Sequence, residues 1–552
     1  LKESTNVKYI CNKEGLLDKI NESNVWLEEV EKGLNDYIEK KKILFPRFYF
    51  LSNETLLKIL SETKDLNRVK ENLKNIFENI HNIELQDEKI ILKMISNLGE
   101  KVPLKNIISI ERKNIEDWMK ELQSSMFETV KQCMERALRS YPRPPTKEWI
   151  FGHTGQSIMH ANQCMWTQQV EDAIANKTIP TYCNEIQERI NLLVKILREP
   201  LSRVDGITVF NLLTLEVHNK QITELFQTGE WSPTSFEWKK QLRYYWENDN
   251  MYVKSIQTSF PYGYEYLGNT EILVITPLTD KCYLTLMGAI KFNMGGAPAG
   301  PAGTGKTEST KDLAKSIAKQ CVVYNCSEET DFVAVSAFFK GLANCGAWIC
   351  FDEFNRINIE VLSVIASQLI VLFSAKDAGM DKIIFEKTPI RILPTFCVFI
   401  TMNPDYEGRT ALPDNLVALF RPMAMMVPDY KLIAEVYLYS SGFLAAKDLA
   451  TKIVSTFKLS SEQLSSQSHY DFGMRAVKSV LYAAKKLKRA NPDDDEDKLL
   501  LRAIRDVNLP KFLKEDIPLF MNIIKDLFPK TQMPKNDLDA LMEKITLNID
   551  KM

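Results

Sequence analysis

Along the first half of the chain, apolar residues recur every three or four positions. The stretch LLDKINESNVWLEEVEKGLNDYIEKKKILF puts Leu17, Ile20, Trp26, Val30, Leu34 and Ile38 on one helical stripe. ETLLKILSETKDLNRVKENLKNIFENI repeats the pattern. PTKEWIFGHTGQSIMHANQCMWTQQVEDAIANK and EIQERINLLVKILREP continue it, broken at Pro142, Pro144, Pro145, Pro180 and Pro200. Residues 1–255 are therefore expected to be a helical scaffold. His153, His160 and His218 fall within it at no metal-ligand spacing and are read as structural.

Around residue 260 the pattern changes. SFPYGYEYLGNTEILVITPLTDKCYLTLMGAI predicts a turn at Gly268-Asn269, a strand in EILVITP and then a helix. Short β-branched runs follow between helical stretches: CVVYNC (321–326), AWICFD (347–352), TFCVFITMN (395–403) and AMMVP (424–428). Strands alternating with helices predict a parallel sheet covered on both faces. From about 430 the helical period returns, interrupted by the solvated acidic loop NPDDDED (491–497). Three parts result: 1–255, helical; 256–429, α/β; 430–552, a smaller helical domain.

Bulk properties narrow the function classes. A chain of 552 residues is too long for one core. Its formal charge of −2 speaks against a nucleic-acid partner. No uninterrupted apolar run reaches about 18 residues, so no membrane span is expected. The ten cysteines, with no CxxC pair, are expected to be buried free thiols in a reducing compartment. The chain opens without Met and closes inside a helical pattern, so both ends are expected to be cuts in something longer.

The chemistry is concentrated in the α/β part. Gly300-Pro301-Ala302-Gly303-Thr304-Gly305-Lys306-Thr307 fits G-x-x-x-x-G-K-[ST], followed by Glu308. Its glycines let backbone N–H groups cradle phosphate oxygens at a helix N-terminus. Lys306 would reach the β and γ phosphates and Thr307 would ligate Mg²⁺. The preceding FNMGGAPA lacks the usual β-branched run and is expected to be a poor strand. AWICFDEFNRI ends a buried strand on Asp352, placed to hold the Mg²⁺ shell, and Glu353, placed to polarise an attacking water. TFCVFITMNPD ends another on Asn403, an amide that can orient that water. Arg475 in DFGMRAVKSVL opens a helix from which a guanidinium can sense the γ-phosphate. Pro277, Leu278 and Thr279 stand at a distance suited to an adenine pocket, and Arg421 could serve this site or face a neighbouring module.

At these residues the chain resembles the first AAA+ module of a dynein heavy chain. GAWICFDEFNRINIEVLSVIA, YGYEYLGNTEILVITPLTDKCY, FITMNP, LPDNLVALFRP and HYDFGMRAVKSVL carry the resemblance over 260–552. KDLAKSIAKQCVVYNCSE and FFKGLANCGAW are most similar to single-headed inner-arm axonemal dyneins. More loosely, YPRPPTKEWI and QCMWTQQVEDAI resemble the linker that precedes that module. The resemblance implies an AAA+ P-loop NTPase module, with a five-stranded parallel sheet and a small helical lid, preceded by the mostly α-helical linker. It further implies ATP and ADP as ligands, Mg²⁺, and hydrolysis coupled to linker movement in a cilium or flagellum axoneme. The implied partners are the remaining AAA+ modules, microtubules gripped by a distant stalk, and light and intermediate chains. An arginine finger from the next module would complete the site, so the isolated chain is expected to bind nucleotide and turn it over slowly. At Asp405, Glu407 and Ala411 the sequence departs from the family, which more often shows Gly, Ala and Glu or a similar residue there. An AAA+ remodelling ATPase and a non-hydrolysing regulatory module are the alternatives. The first would not need the linker, and the second would have no use for Glu353.

Overall fold

The computed structural model describes residues 15–61, 66–87, 89–404 and 412–529, together with Thr531, Thr546 and Ile549. The N-terminal region begins with the predicted helix, Leu16–Leu44, but its stripe faces outward. Leu17, Ile20, Trp26, Val30 and Leu34 are exposed, and only Ile38 is buried.

Residues 1–255 are mostly helical, as expected, and two antiparallel sheets interrupt or end the helical run. Strands β1 (Asn82–Gln86), β2 (Ile90–Ile95) and β3 (Lys101–Ser109) form an antiparallel sheet packed on helix Ile115–Arg139. Strands β4 (Arg243–Glu247), β5 (Asn250–Ser255) and β6 (Thr258–Pro261) form a second. The cause is turn chemistry. Asn248 and Asp249 both take positive φ (49° and 57°), the conformation of a two-residue hairpin turn, which reverses the chain before a helix can propagate. Between the two sheets lie the long helices Gly155–Ala175, Ile179–Leu197 and Arg203–Leu225.

The central sheet has five parallel strands in the order β13-β7-β12-β9-β8. They are β7 (Gly295–Ala299), β8 (Cys321–Asn325), β9 (Trp348–Asp352), β12 (Cys397–Ile400) and β13 (Phe420–Ala424), and an outlying hairpin joins β10 (Lys382–Phe385) to β11 (Thr388–Arg391). Three expectations fail here. EILVITP is not a strand, because residues 271–276 run as irregular chain into helix Pro277–Lys291. The last strand ends at Ala424, where AMMVP begins, so it contains Arg421, which is exposed. The unpromising GGAPA is a strand in the interior of the sheet, because its neighbours leave no room for side chains. A Cβ on Gly295 would sit 2.3 Å from the Phe420 ring, and one on Gly296 would sit 2.4 Å from Leu286.

Alternate residues of β9 enter different cores. Ile349 and Phe351 pack with helices Phe332–Cys345 and Ile359–Asp377. Trp348 and Cys350 join a core with helices Pro277–Lys291 and Lys306–Ser316, and that core continues into the helices of 155–226. The N-terminal helices and the sheet are thus cemented by one apolar layer. Helix Ile359–Asp377, 19 residues long with mean hydropathy 1.7 over an 18-residue window, is long and apolar enough to cross a membrane by length and composition. Here Leu362, Ile365, Ala366, Leu369, Leu372 and Phe373 bury its inner face against the sheet.

Helices Tyr430–Tyr439, Ala446–Gln463, Met474–Ala490, Glu496–Asn508 and Ile517–Leu527 form the C-terminal bundle. Phe210, from the N-terminal helix Arg203–Leu225, is inserted into its core and lies edge-on to Tyr437 at 5.1 Å. The nine described cysteines are all free, seven of them buried. Cys11, Asp405, Glu407 and Ala411 lie outside the described residues.

Candidate functional site

The loop Gly300–Gly305 leaves the C-terminal end of β7 and opens helix Lys306–Ser316. Gly300 is demanded by close approach, since a Cβ there would meet the Met425 carbonyl oxygen at 2.0 Å. Gly305, at φ 85°, supplies the left-handed residue from which the helix starts. Thr304 Oγ1 donates to the Pro301 carbonyl at 3.0 Å and ties the loop across its base. The buried Lys306 ammonium donates to the carbonyls of Gly300 (2.8 Å) and Pro301 (2.6 Å).

Beneath this loop, carboxylates, hydroxyls and an amide from three chain segments meet. Thr307 Oγ1 and Thr401 Oγ1 both donate to Asp352 Oδ1, at 2.5 and 2.6 Å. Thr401 Oγ1 also accepts from the Glu353 N–H at 3.0 Å. One hydroxyl from the end of β12 therefore fixes both acids at the end of β9. Glu353 itself has φ 55°, a left-handed conformation uncommon for a residue with a side chain. Its Oε1 accepts from Asn403 Nδ2 at 3.5 Å, and its Oε2 pairs with Arg356 Nε. Asn403 is held in turn through its carbonyl by Asn355 Nδ2 at 3.1 Å. Its Oδ1 is buried and has no partner among the described residues.

These groups floor a cavity of about 580 Å³. Gly303–Glu308, Asp352, Glu353 and Asn403 line one side, Leu278 and Thr279 another, and the C-terminal bundle closes it with Met474 and Arg475. Most of the site residues expected from the sequence therefore come together. Pro277 is not among the lining residues; it occupies the first turn of its helix behind a reciprocal Thr276–Thr279 cap. Gly300 and Pro301 contribute through their carbonyls to Lys306 rather than by lining the cavity. Glu308 lines it while paired to Lys311 at 3.2 Å. Arg421 does not line it.

Sequence reasoning passed over Thr401, Asn325 and Lys478. Asn325 closes β8 as Asp352 closes β9, and the rule that ligands gather at carboxyl ends of parallel strands would have found it. Lys478 is one helical turn beyond Arg475 on the same face. The paired oxygens of Thr307 and Asp352 are hard donors at one point of the floor, which fits Mg²⁺ rather than a softer metal. Behind the loop helix, Asp312 accepts from Tyr283 Oη (2.6 Å) and the Leu273 N–H (3.3 Å), and burial pushes its carboxyl up.

Comparison with known proteins bears on the same residues. Residues 262–552 match the family described as the hydrolytic ATP binding site of the dynein motor region, and residues 1–137 match dynein heavy chain, N-terminal region 2. Dynein axonemal heavy chain 3 of Mus musculus is 49% identical over 551 residues, covering 99% of this chain and 14% of that protein. Dynein axonemal heavy chain 1 of Homo sapiens is 50% identical over 550 residues, covering 98% and 13%. Dynein axonemal heavy chain 12 of Mus musculus is 49% identical over 534 residues, covering 96% and 17%. The chain thus spans about one-seventh of the length of these relatives.

Proposed function

The chain belongs to the dynein heavy chain family, and from that premise we propose that it is an ATP-hydrolysing motor module. In this reading residues 256–429 and 430–552 are the large part and lid of the ATPase, and 1–255 are the linker that moves with its nucleotide state. The observation that carries it is the Thr401 bridge, which holds Asp352 and Glu353 together opposite Thr307 and Asn403 at the edge of one parallel sheet.

Mechanism follows from what each group can do. Lys306 and the backbone N–H groups of the loop bind the β and γ phosphates. Thr307 and Asp352 would hold Mg²⁺, which when bound would supply charge neutralisation. Glu353 takes the proton of the attacking water and Asn403 aligns it. Arg475 reaches the γ-phosphate from the lid and links lid position to nucleotide state. Leu278 and Thr279 pack at the base end of the cavity. Because the loss of a positioned proton acceptor costs about 10²–10⁴-fold, Glu353→Gln should reduce turnover to that extent while ATP stays bound. Unchanged turnover in that variant would leave a nucleotide sensor instead.

Coupling to the linker is supported by a joint behind the site. Lys485 Nζ in the lid lies 3.6 Å from the centroid of the Phe210 ring and donates to Glu271 at 2.8 Å. Glu271 lines the same cavity, so lid, linker helix and nucleotide pocket share one contact. A nucleotide-dependent change of distance between labels near residues 150 and 430 tests the coupling, and a constant distance favours a remodelling ATPase. The axonemal relatives support action in a cilium or flagellum, and inner-arm placement rests on the resemblance carried by KDLAKSIAKQCVVYNCSE and FFKGLANCGAW. The other AAA+ modules, microtubules and the light and intermediate chains are the partners that reading assigns.

A further inference from the structure

Residues 270–275 run as irregular chain along the nucleotide cavity and pair with no strand among the described residues. Glu271, Ile272, Leu273 and Val274 line that cavity together with Leu278 and Thr279, which stand at its base end in the reading above. A backbone stretch without a ladder keeps its place through bonds from side chains. Asp312 on the loop helix holds the Leu273 N–H at 3.3 Å. The other hold comes from the N-terminal region. Asn211, 2% exposed in helix Arg203–Leu225, donates from Nδ2 to the Thr270 carbonyl at 2.9 Å and accepts the Ile272 N–H on Oδ1 at 3.3 Å. One side-chain amide thus takes a carbonyl and an N–H of the wall, as a neighbouring strand would. The preceding residue of the helix, Phe210, sits in the core of the lid, and Glu271, between the two bonded wall residues, accepts from Lys485 of the lid.

We propose that Asn211 is a positioning residue through which the linker helix holds the base-end wall of the nucleotide site, so that linker position sets affinity for the nucleoside half of the ligand and not for its phosphates. The proposal rests on the assignments of site and linker made above. The phosphate side is fixed by the glycine loop and by the ends of β9 and β12. The base side is fixed by a wall that the linker helix pins. A pinned wall is pre-organised, whereas an unpinned one must be ordered by the ligand at the expense of affinity. The coupling is reciprocal: a nucleoside that presses on the wall biases the helix holding it, and a helix drawn off the wall loosens the nucleoside. Thr208, on the same helix, supplies the contrast. Its Oγ1 accepts from Asn269 Nδ2 at 2.8 Å, and of the two cavities on either side of the segment Asn269 lines only the smaller. Thr208 therefore grips the same segment outside the nucleotide wall.

The test is displacement of a fluorescent ADP from the heavy chain by ADP and by inorganic pyrophosphate, taking as this site's share the binding that Lys306→Ala removes. Asn211→Ala should weaken ADP by about three- to tenfold, the scale of one neutral hydrogen bond, and leave pyrophosphate within about twofold. Thr208→Val removes a bond of the same kind upstream of the wall and should leave both ligands within about twofold. Equal losses for ADP and pyrophosphate in Asn211→Ala, parent-like ADP affinity in that variant, or the same split in Thr208→Val overturns the proposal. Should Asn211→Ala fail to fold, hydrogen exchange on the unsubstituted chain decides. ADP should slow exchange in 270–274 and in helix Arg203–Leu225 more than pyrophosphate does, and protection confined to 270–274 overturns the proposal. If Lys306→Ala removes no binding, the nucleotide site itself is misassigned and the role of Asn211 falls with it, an outcome distinct from the others.

Discussion

Two cavities share the helix Lys306–Ser316 as a wall, and they use similar residue types to opposite ends. On one side is the nucleotide cavity of about 580 Å³; on the other is a cavity of about 100 Å³, lined by Gln156, His160, Trp166, His218, Tyr244 and Tyr283. Asp312 and Lys315 border both. In the smaller one most polar groups join protein to protein, while Gln163 Oε1 and both side-chain polar atoms of Asn219 have no partner among the described residues. Gln156 donates to Tyr262 Oη (3.0 Å) and the Glu265 carbonyl (2.8 Å), and accepts from the Leu267 N–H (2.9 Å). His160 Nδ1 donates to the Gln156 carbonyl at 2.9 Å, and Tyr244 Oη donates to the Ser316 carbonyl at 3.0 Å. In the larger cavity the glycine loop, Asn403 and Arg475 line the space. A cavity whose polar groups bond one another is joinery. One whose groups converge on open volume is a site.

Substitutions on the two sides should therefore separate binding from stability. The largest effect belongs to Lys306→Ala, which should weaken ATP binding by about 10²–10³-fold, the scale of one lost charge-assisted contact to phosphate. Its melting temperature should barely move. Titration of a fluorescent nucleotide alongside calorimetry measures both. Next comes Gln156→Ala, which strands several buried partners and should cost about 3 kcal/mol of stability, from 1–3 kcal/mol for each unpaired buried group. ADP affinity should stay within about threefold; a large loss of affinity at unchanged melting temperature would erase the distinction between the cavities.

The smallest effect is a pH dependence confined to the joinery side. Burial lowers His160 to about 4, although backbone bonds from Gln156 and Lys315 work in the other direction, and burial lowers His218 to about 4 as well. Both folded values lie below the ordinary 6.5, so between pH 6.5 and 4 the unfolded chain binds more protons than the folded one. The contribution to stability is complete above pH 6.5 and is lost as the pH falls towards 4. A melting temperature that declines over that window, and declines less in His160→Gln, is the expected result. A decline identical in the variant would remove His160 from the account.

What could be read from the chain differs between regions for identifiable reasons. β9 and β12 were visible as β-branched or aromatic runs because they are buried on both faces, and the half-exposed edge strand β8 was visible by its Val322-Val323-Tyr324 run. β7 was not, since its glycines answer to the Phe420 ring and Leu286, contacts distant in sequence. The helix Leu16–Leu44 was read correctly as an element, yet its period implied a buried stripe that this structure leaves exposed. EILVITP had strand composition but no neighbour to pair with; Asp312 and Asn211 bond its N–H groups at Leu273 and Ile272 instead. Residues 82–109 and 243–255 were included in a helical region because a window dominated by helical period hides short hairpins.

The sequence by itself determined the chemistry of the nucleotide site: the glycine loop, Lys306 and Thr307, the acids closing β9 and the amide after β12. Those are local requirements, a backbone that curls around phosphate and polar groups at strand ends. Tertiary structure alone decided which way Glu353 points, that Thr401 ties it to Asp352, that Asn403 and Arg356 both reach its carboxylate, and that Phe210 is seated in the lid. Each of those depends on groups far apart in the chain or on side-chain direction, and neither period nor composition encodes direction.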